Sequence, residues 1–472
     1  MQTLGFFFFI GLLFISYISS SSLASTSRRL TTLKQTDLQP EDFKIHVDPN
    51  LKFENPRLMK AYYALQEWKK AIFSDPQNMT GNWVGPNVCS YGGVFCALAK
   101  DDPNILTVGL IDLNYGDIAG HLVPHLALLS DLGVLHINSN RFCGIIPKTF
   151  SKLNRLFEFD VSNNRFVGPF PKVVLAMPHL RFLDIRYNEF EGTLPPELFE
   201  KRLDAIVVNN NRFHSAIPEN IGNSPVSMLV LANNKFTGCI PKTFGNMPRL
   251  EQVSLSNNLL TGCLPEEITN LQGLIVFDVS DNKFVGQLPK NLDKLKRVER
   301  FDFSNNELTG KVEKSVCSIN ALLDFRISSN YFNEINGECD KLVSEKLLSM
   351  KDKDNCIPKR SDQKTDKICS QMVNRQVDCK NVGCTPPGNQ KVTPHKPKPP
   401  PQKIHPTIKA ALTPPTPVQS PLPPVFSPPP TSSVPPPTPP QSPPAPTLKD
   451  IIRPPNIGSR YSPPPPPVVQ GH

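Results

Sequence analysis

The chain has 472 residues, 52 of them proline, and a formal net charge of +9. After Thr385 lie 32 of those prolines and eight lysines or arginines against one acid, Asp450, so the basic character belongs to that stretch. The remaining body is close to neutral, which gives no reason to expect a nucleic-acid partner. It holds enough Leu, Ile, Val and Phe to bury a large core.

The chain begins with an apolar run, FFFFIGLLFISYISSSSLAS, with a small-residue cleavage site at Ser22-Leu23-Ala24. It reads as a secretory signal over 1–24, although no Lys or Arg precedes Arg28 and a membrane-anchoring helix is the alternative. No later run approaches the ~18 apolar residues of a membrane span. Eleven cysteines suit an oxidising compartment. Asn78-Met79-Thr80 is an N-glycosylation sequon. Within 25–104, the segment NPRLMKAYYALQEWKKAIFSDP has helical apolar spacing, and Trp83 precedes Cys89 and Cys96.

From residue 105 to 340 the chain repeats itself. Asparagines recur at Asn140, Asn164, Asn188, Asn211, Asn234, Asn258, Asn282, Asn306 and Asn330, in steps of 23 or 24. Gly116 heads an earlier unit, making ten. Phe or Leu usually follows two residues later, then Gly-x-apolar-Pro, as in Gly238 to Pro241 and Gly262 to Pro265. This is a leucine-rich repeat, an α/β solenoid of about ten plant-type 24-residue coils. Apolar residues three and five before each Asn point inward from a short strand. The Asn is expected to bond backbone groups inside each turn, and the Phe to pack on its copy one coil on. Cys239 and Cys263 share a column of neighbouring coils, which predicts a disulfide between them. Cys317 and Cys339 bracket the last repeat and are expected to close the far end. Residues 341–385, with Cys356, Cys369, Cys379 and Cys384, read as a disulfide-stapled hinge rather than a zinc site. If the hinge cysteines pair among themselves, Cys143 is left over and is a candidate for an intermolecular bridge.

The open face of the strands is where a partner would sit. Coil by coil it presents Asp112, His136, Asp160, Asp184, Val207, Val230, Ser254, Asp278, Asp302 and Arg326, flanked by Glu158, Phe182, Arg186, Arg300 and Asp324. The pairs Asp160–Asp184 and Asp278–Asp302 are predicted to stack one strand apart. Such a face could clamp a cationic peptide over a floor of Phe182, Val207, Met228 and Val230, or be merely a solvated surface. No hydrolase, zincin, phosphate-loop or dinucleotide motif is present, and nothing calls for a metal or cofactor, so no enzyme is expected.

The order of parts resembles the leucine-rich repeat extensins of plant cell walls. The resemblance rests on ALQEWKKAIFSDP, NVCSYGGVFCA, INSNRFCGIIPKTFSKL, DIRYNEFEG, ENIGNSPVSMLVLANN and DNCIPKRSDQ, within residues 40–385. It implies a solenoid with disulfide caps, Cys89 paired with Cys96, a Cys-rich hinge and a disordered extensin-like tail over 386–472. It also implies a wall-attached homodimer that binds basic peptides of the rapid alkalinisation factor (RALF) class and acts in wall integrity and cell expansion. The tail departs from the family: only Ser462 precedes a long proline run, Pro463, Pro464, Pro465, Pro466 and Pro467, as a site for hydroxylation and O-glycans, and Tyr461 is its only tyrosine. A stiff basic tether could still hold acidic wall polysaccharide by charge. An inhibitor of wall-degrading polygalacturonases and a purely structural wall glycoprotein are the alternatives.

Overall fold

The structure is a computed structural model that describes residues 43–373 and 377–379. The expected signal segment and the Ser462–Pro467 run lie outside the described residues.

Each coil contributes a three-residue strand, a turn, a second short strand and a 3-10 helix. The first strands build a twelve-stranded sheet in chain order, parallel throughout except for the capping strand Val94–Leu98, which runs antiparallel to Leu106–Asp112. The second strands form a nine-stranded parallel sheet from Cys143–Gly144 to Tyr331–Ile335. One coil has no core of its own, so the apolar residues of both sheets meet in a single hydrophobic column running the length of the stack.

The asparagine column explains how coils join. Asn164 Oδ1 accepts the Phe142 amide of the preceding coil at 2.9 Å, and its Nδ2 donates to Ile137 O, Val161 O and Ser162 O. The same pattern recurs along the stack, as at Asn258 and Asn306. Four backbone groups that would otherwise be buried without partners are thereby satisfied by one side chain. The phenylalanines stack as expected: Phe166 on Phe190 at 6.3 Å and Phe190 on Phe213 at 6.4 Å, with rings within 10° of parallel. The repeat glycines take positive φ, about which an L side chain is strained; where coil periodicity would place one, Ser215 stands instead at φ 83°.

Both ends are closed. The helix Pro56–Lys70 starts at Asn55, whose side chain accepts from Arg57 N and Leu58 N, and it has Pro at its first position. It buries Leu58, Ala61, Leu65 and Trp68, and Trp68 packs on Trp83 at 5.9 Å and on Phe142 at 5.7 Å. Cys89 is bonded to Cys96 behind it, and at the far end Cys317 is bonded to Cys339.

Three expectations are corrected. Cys263 is bonded to Cys379, not to Cys239. The reason is register: in the second sheet Thr237 pairs with Leu259 and Gly238 with Leu260, an offset of 22 residues rather than 24. Equivalent residues of neighbouring coils are therefore displaced by two positions along the strand, which puts their Cα atoms about 8 Å apart, beyond the reach of a disulfide. Cys239 is disulfide-bonded as well, to a cysteine other than Cys263. The hinge thus closes on itself only in part: Cys356 pairs with Cys369 within it, while Cys379 ties the chain back to the solenoid flank. The stack also runs past residue 340. Ser349–Lys351 adds an eleventh parallel rung beside Asp324–Arg326, and Asn355 repeats the asparagine bonds to Phe332 N and Ile327 O.

Candidate functional site: the concave ladder

In each strand of the first sheet the middle residue enters the core and its two neighbours face the open side. Asp160 pairs directly with Asp184, and Asp278 with Asp302, as the repeat predicts. Glu158 lies beside Phe182, and Arg300 beside Asp324. The carboxylates fall into two groups separated by a neutral stretch in which Val207 and Met228 are buried and Val230 is half-buried.

The first group is recessed. His136 Nε2 lies 3.0 Å from Glu158 Oε2. Burial works against charging this imidazole, but the Glu158 bond and the charges of Asp160 and Asp112 outweigh it and raise its pKa. Asp112 accepts from Asn114 N, and Asp160 from Ser162 N. Asp160 is only 8% exposed and Asp184 is fully buried, so this pair is not the open clamp its position suggested. Burial pushes the Asp184 carboxyl well above the usual carboxylate range, and the neighbouring Asp160 charge adds to the push. Arg186 opposes it: its Nε lies 3.2 Å from Asp184 Oδ2, a charge contact without hydrogen-bond alignment, and its backbone N–H donates to Oδ1.

The second group is more open and already carries cations. Arg326 reaches Asp324 at 2.8 Å and Asp302 at 3.6 Å, and Arg300 reaches Asp324 at 3.2 Å. Asp278 accepts from the hydroxyls of Ser254 at 2.8 Å and Ser280 at 2.7 Å. Asp302 has a raised pKa, chiefly from burial, with Ser304 and Arg326 pulling it down and the Asp278 charge pushing it up. Beyond it the eleventh rung supplies Lys351 and, two residues on, Lys353. These lysines were missed because Asn355 follows Asn330 by 25 residues and so falls out of the column. The His136–Glu158 and Ser254–Asp278 pairs follow from stacking, since residues 22 or 24 apart become neighbours.

Elsewhere, Asn78 is exposed in a turn, while the Thr80 hydroxyl of its sequon is buried and donates to Asp75 at 2.7 Å. Cys143 carries a half-buried thiol 3.5 Å from the Gly120 carbonyl. Among the described residues no cluster of His, Cys, Asp and Glu is arranged to hold a metal ion, and no helix is long and apolar enough to cross a membrane.

A stack of parallel rungs with an asparagine ladder and a cysteine-closed cap defines a leucine-rich repeat protein. The leucine rich repeat family model matches residues 130–190 and 224–284, and the leucine rich repeat N-terminal domain model matches 62–97. Pollen-specific leucine-rich repeat extensin-like protein 4 of Arabidopsis thaliana is 62% identical over 398 residues, 82% of this chain and 56% of that protein. The pollen-specific extensin-like protein 3 of the same plant is 59% identical over 393 residues, 80% of this chain and 54% of that protein. Over about four fifths of its length the chain is thus similar to leucine-rich repeat extensin-like proteins. It spans just over half the length of these relatives. Among solved structures it is similar to the ectodomain of the Arabidopsis receptor kinase HAESA bound to an N-terminally extended IDA peptide hormone. The two are 25% identical with a TM-score of 0.51, over 64% of this chain and 54% of that one.

Proposed function

We propose that this protein is a secreted, non-enzymatic scaffold of the plant cell wall that receives a basic signalling peptide of the RALF class on its concave face. Its tail would hold the wall, by charge on acidic polysaccharide and by glycans on the Ser462 run, and assembly as a homodimer belongs to the same reading. Through that linkage it would modulate wall formation, wall integrity and cell expansion.

The observation that carries this is the ladder itself. Seven carboxylates stand on one face against the guanidiniums of Arg186, Arg300 and Arg326, around an apolar floor. A peptide Lys or Arg entering there would find excess negative charge, with a hydrophobic surface for its neighbours. The relation to HAESA supports it, because that ectodomain holds a peptide hormone. The accessible carboxylates are Glu158, Asp112, Asp278, Asp302 and Asp324; Asp160 would act on the ligand only through its field, and Asp184, which burial holds toward its neutral form, would add little.

Calorimetry of the full secreted chain with a basic RALF-class peptide tests it. Combining Glu158→Gln with Asp278→Asn should weaken binding by roughly tenfold or more, at about 1.4 kcal/mol per decade. Unchanged affinity in that variant would remove the acidic-face mechanism.

A further inference from the structure

On the concave ladder one imidazole stands among carboxylates. His136 ends the strand Val134–His136 and pairs directly with Asp112 on the strand before it and with Asp160 on the strand after it. Its Nε2 lies 3.0 Å from Glu158 Oε2. These three carboxylates are the charged groups that the adjoining strands Leu106–Asp112 and Glu158–Asp160 carry, and its own strand adds none. The nearest cation of the ladder, Arg186, is two strands away and lies against Asp184. Strands in a sheet lie about 4.8 Å apart, so a charge on this ring is felt by all three carboxylates.

We propose that His136 is a proton-operated gate on this end of the concave face. Neutral, it leaves Glu158 and Asp112 to an incoming cation, with the field of Asp160 behind them. Protonated, it answers one of those charges from within and repels the ligand. The gate rests on the reading of the concave face as the seat of a cationic peptide. The bond to Glu158 fixes the neutral tautomer: a carboxylate only accepts, so Nε2 carries the hydrogen and the titrating proton is taken up at Nδ1. Protonation therefore changes the charge of the cluster without breaking the His136–Glu158 bond. Burial works against charging the ring, but the Glu158 bond and the charges of Asp160 and Asp112 outweigh it, so the gate turns above the ordinary imidazole value of about 6.5. Below the transition the ring is charged and the ligand is held weakly; above it the ring is neutral and the ligand is held tightly. Linkage makes the effect reciprocal. Whatever factor the loss of the proton adds to ligand affinity, the ligand takes from proton affinity, so binding near the transition expels a proton.

The test titrates the full chain with acetylated hexa-arginine amide by calorimetry, from about pH 5 to about pH 9, in buffers of different ionisation heat. Arginine keeps its charge over that range, so any pH dependence belongs to the protein. Wild-type affinity should rise about tenfold across the range, the factor that corresponds to a change of one in the His136 pKa. Proton release should peak at the transition. His136→Gln should hold the high affinity at every pH and release no proton, and His136→Arg should hold the low affinity at every pH. The two variants depart from the wild type in opposite directions, so a fold defect, which would weaken binding in both, does not imitate the pattern. Glu158→Gln should move the transition to lower pH, which a merely structural role would not do. A wild type whose affinity and proton release stay flat, or a His136→Gln variant that keeps the full pH dependence, would overturn the gate and leave the cationic seat standing. A probe that binds at no pH would remove the seat and the gate together.

Discussion

Asn188 holds two coils together: its Oδ1 accepts the Phe166 amide proton at 2.9 Å, and its Nδ2 donates to Val161 O at 3.0 Å, one coil back. The same amide also serves Ile185 O and Arg186 O at 3.2 and 3.1 Å. Replacing Asn188 by Ala leaves one N–H and three carbonyls buried without this partner. At roughly 1 kcal/mol or more for each unmatched group, the loss should reach about 3–5 kcal/mol. Denaturant unfolding measures it, and hydrogen exchange at Phe166 should lose protection first. A loss under about 1 kcal/mol would show that water enters the turn and replaces the side chain.

Ser215 at φ 83° occupies the position where seven other coils have glycine at φ between 77° and 91°. A non-glycine residue in that conformation costs on the order of 1 kcal/mol, partly offset by the greater freedom glycine has in the unfolded chain. Ser215→Gly should therefore raise stability by about 0.5–1 kcal/mol, with peptide binding unchanged. A lower melting temperature would mean that the weak contact of the Ser215 hydroxyl with Ala216 O, at 3.3 Å, matters more than the strain.

How far the fold could be read in the residues depended on which periodicity governed each contact. Asn, Phe and Gly columns recur at 23 or 24 residues, and the concave sheet keeps that offset, so Asp160–Asp184 and Asp278–Asp302 were legible. The second sheet slips to 22, which is why Cys239 and Cys263 share a column yet not a bond. The last rung escaped because its asparagine arrives one residue late, at Asn355. Accessibility was the least legible property. Nothing in the spacing of Asp184 distinguishes it from Asp278, although the first is fully buried beside an equally inaccessible Arg186, 3.2 Å away, and the second is half-exposed among serines.

The bond between Cys263 and Cys379 closes a loop with a sequence separation of 116 residues. In the chain-entropy model a loop of that length stabilises the folded state by roughly 4.5–5 kcal/mol. Mass mapping of the unreduced protein should recover a peptide pair joining Cys263 to Cys379 and none joining Cys239 to Cys263. Cys379→Ser should lower the melting temperature and release the hinge to proteolysis, leaving the Cys317–Cys339 and Cys89–Cys96 pairs intact. Recovery of a Cys239–Cys263 peptide would contradict the register of the second sheet.

Asp184 makes stability depend on pH in a direction opposite to that of an ordinary salt-bridged carboxylate. Its folded pKa stands above the unfolded value of about 3.9, because burial and the Asp160 charge disfavour ionisation more than Arg186 favours it. The folded state therefore holds this proton more tightly than the unfolded chain. The resulting stabilisation is complete below about pH 4 and is lost as pH rises through the raised folded value. Asp184→Asn removes the titration but keeps the shape. The variant should match the wild type near pH 3.5 and become progressively more stable than it toward pH 7, by at least about 1 kcal/mol. Asp160→Asn, by removing the neighbouring charge, should move the same transition to lower pH. Paired thermal melts across that range decide the matter: an Asp184→Asn variant less stable than the wild type at every pH would mean that the contact with Arg186 outweighs burial and that the carboxylate is charged in the folded protein.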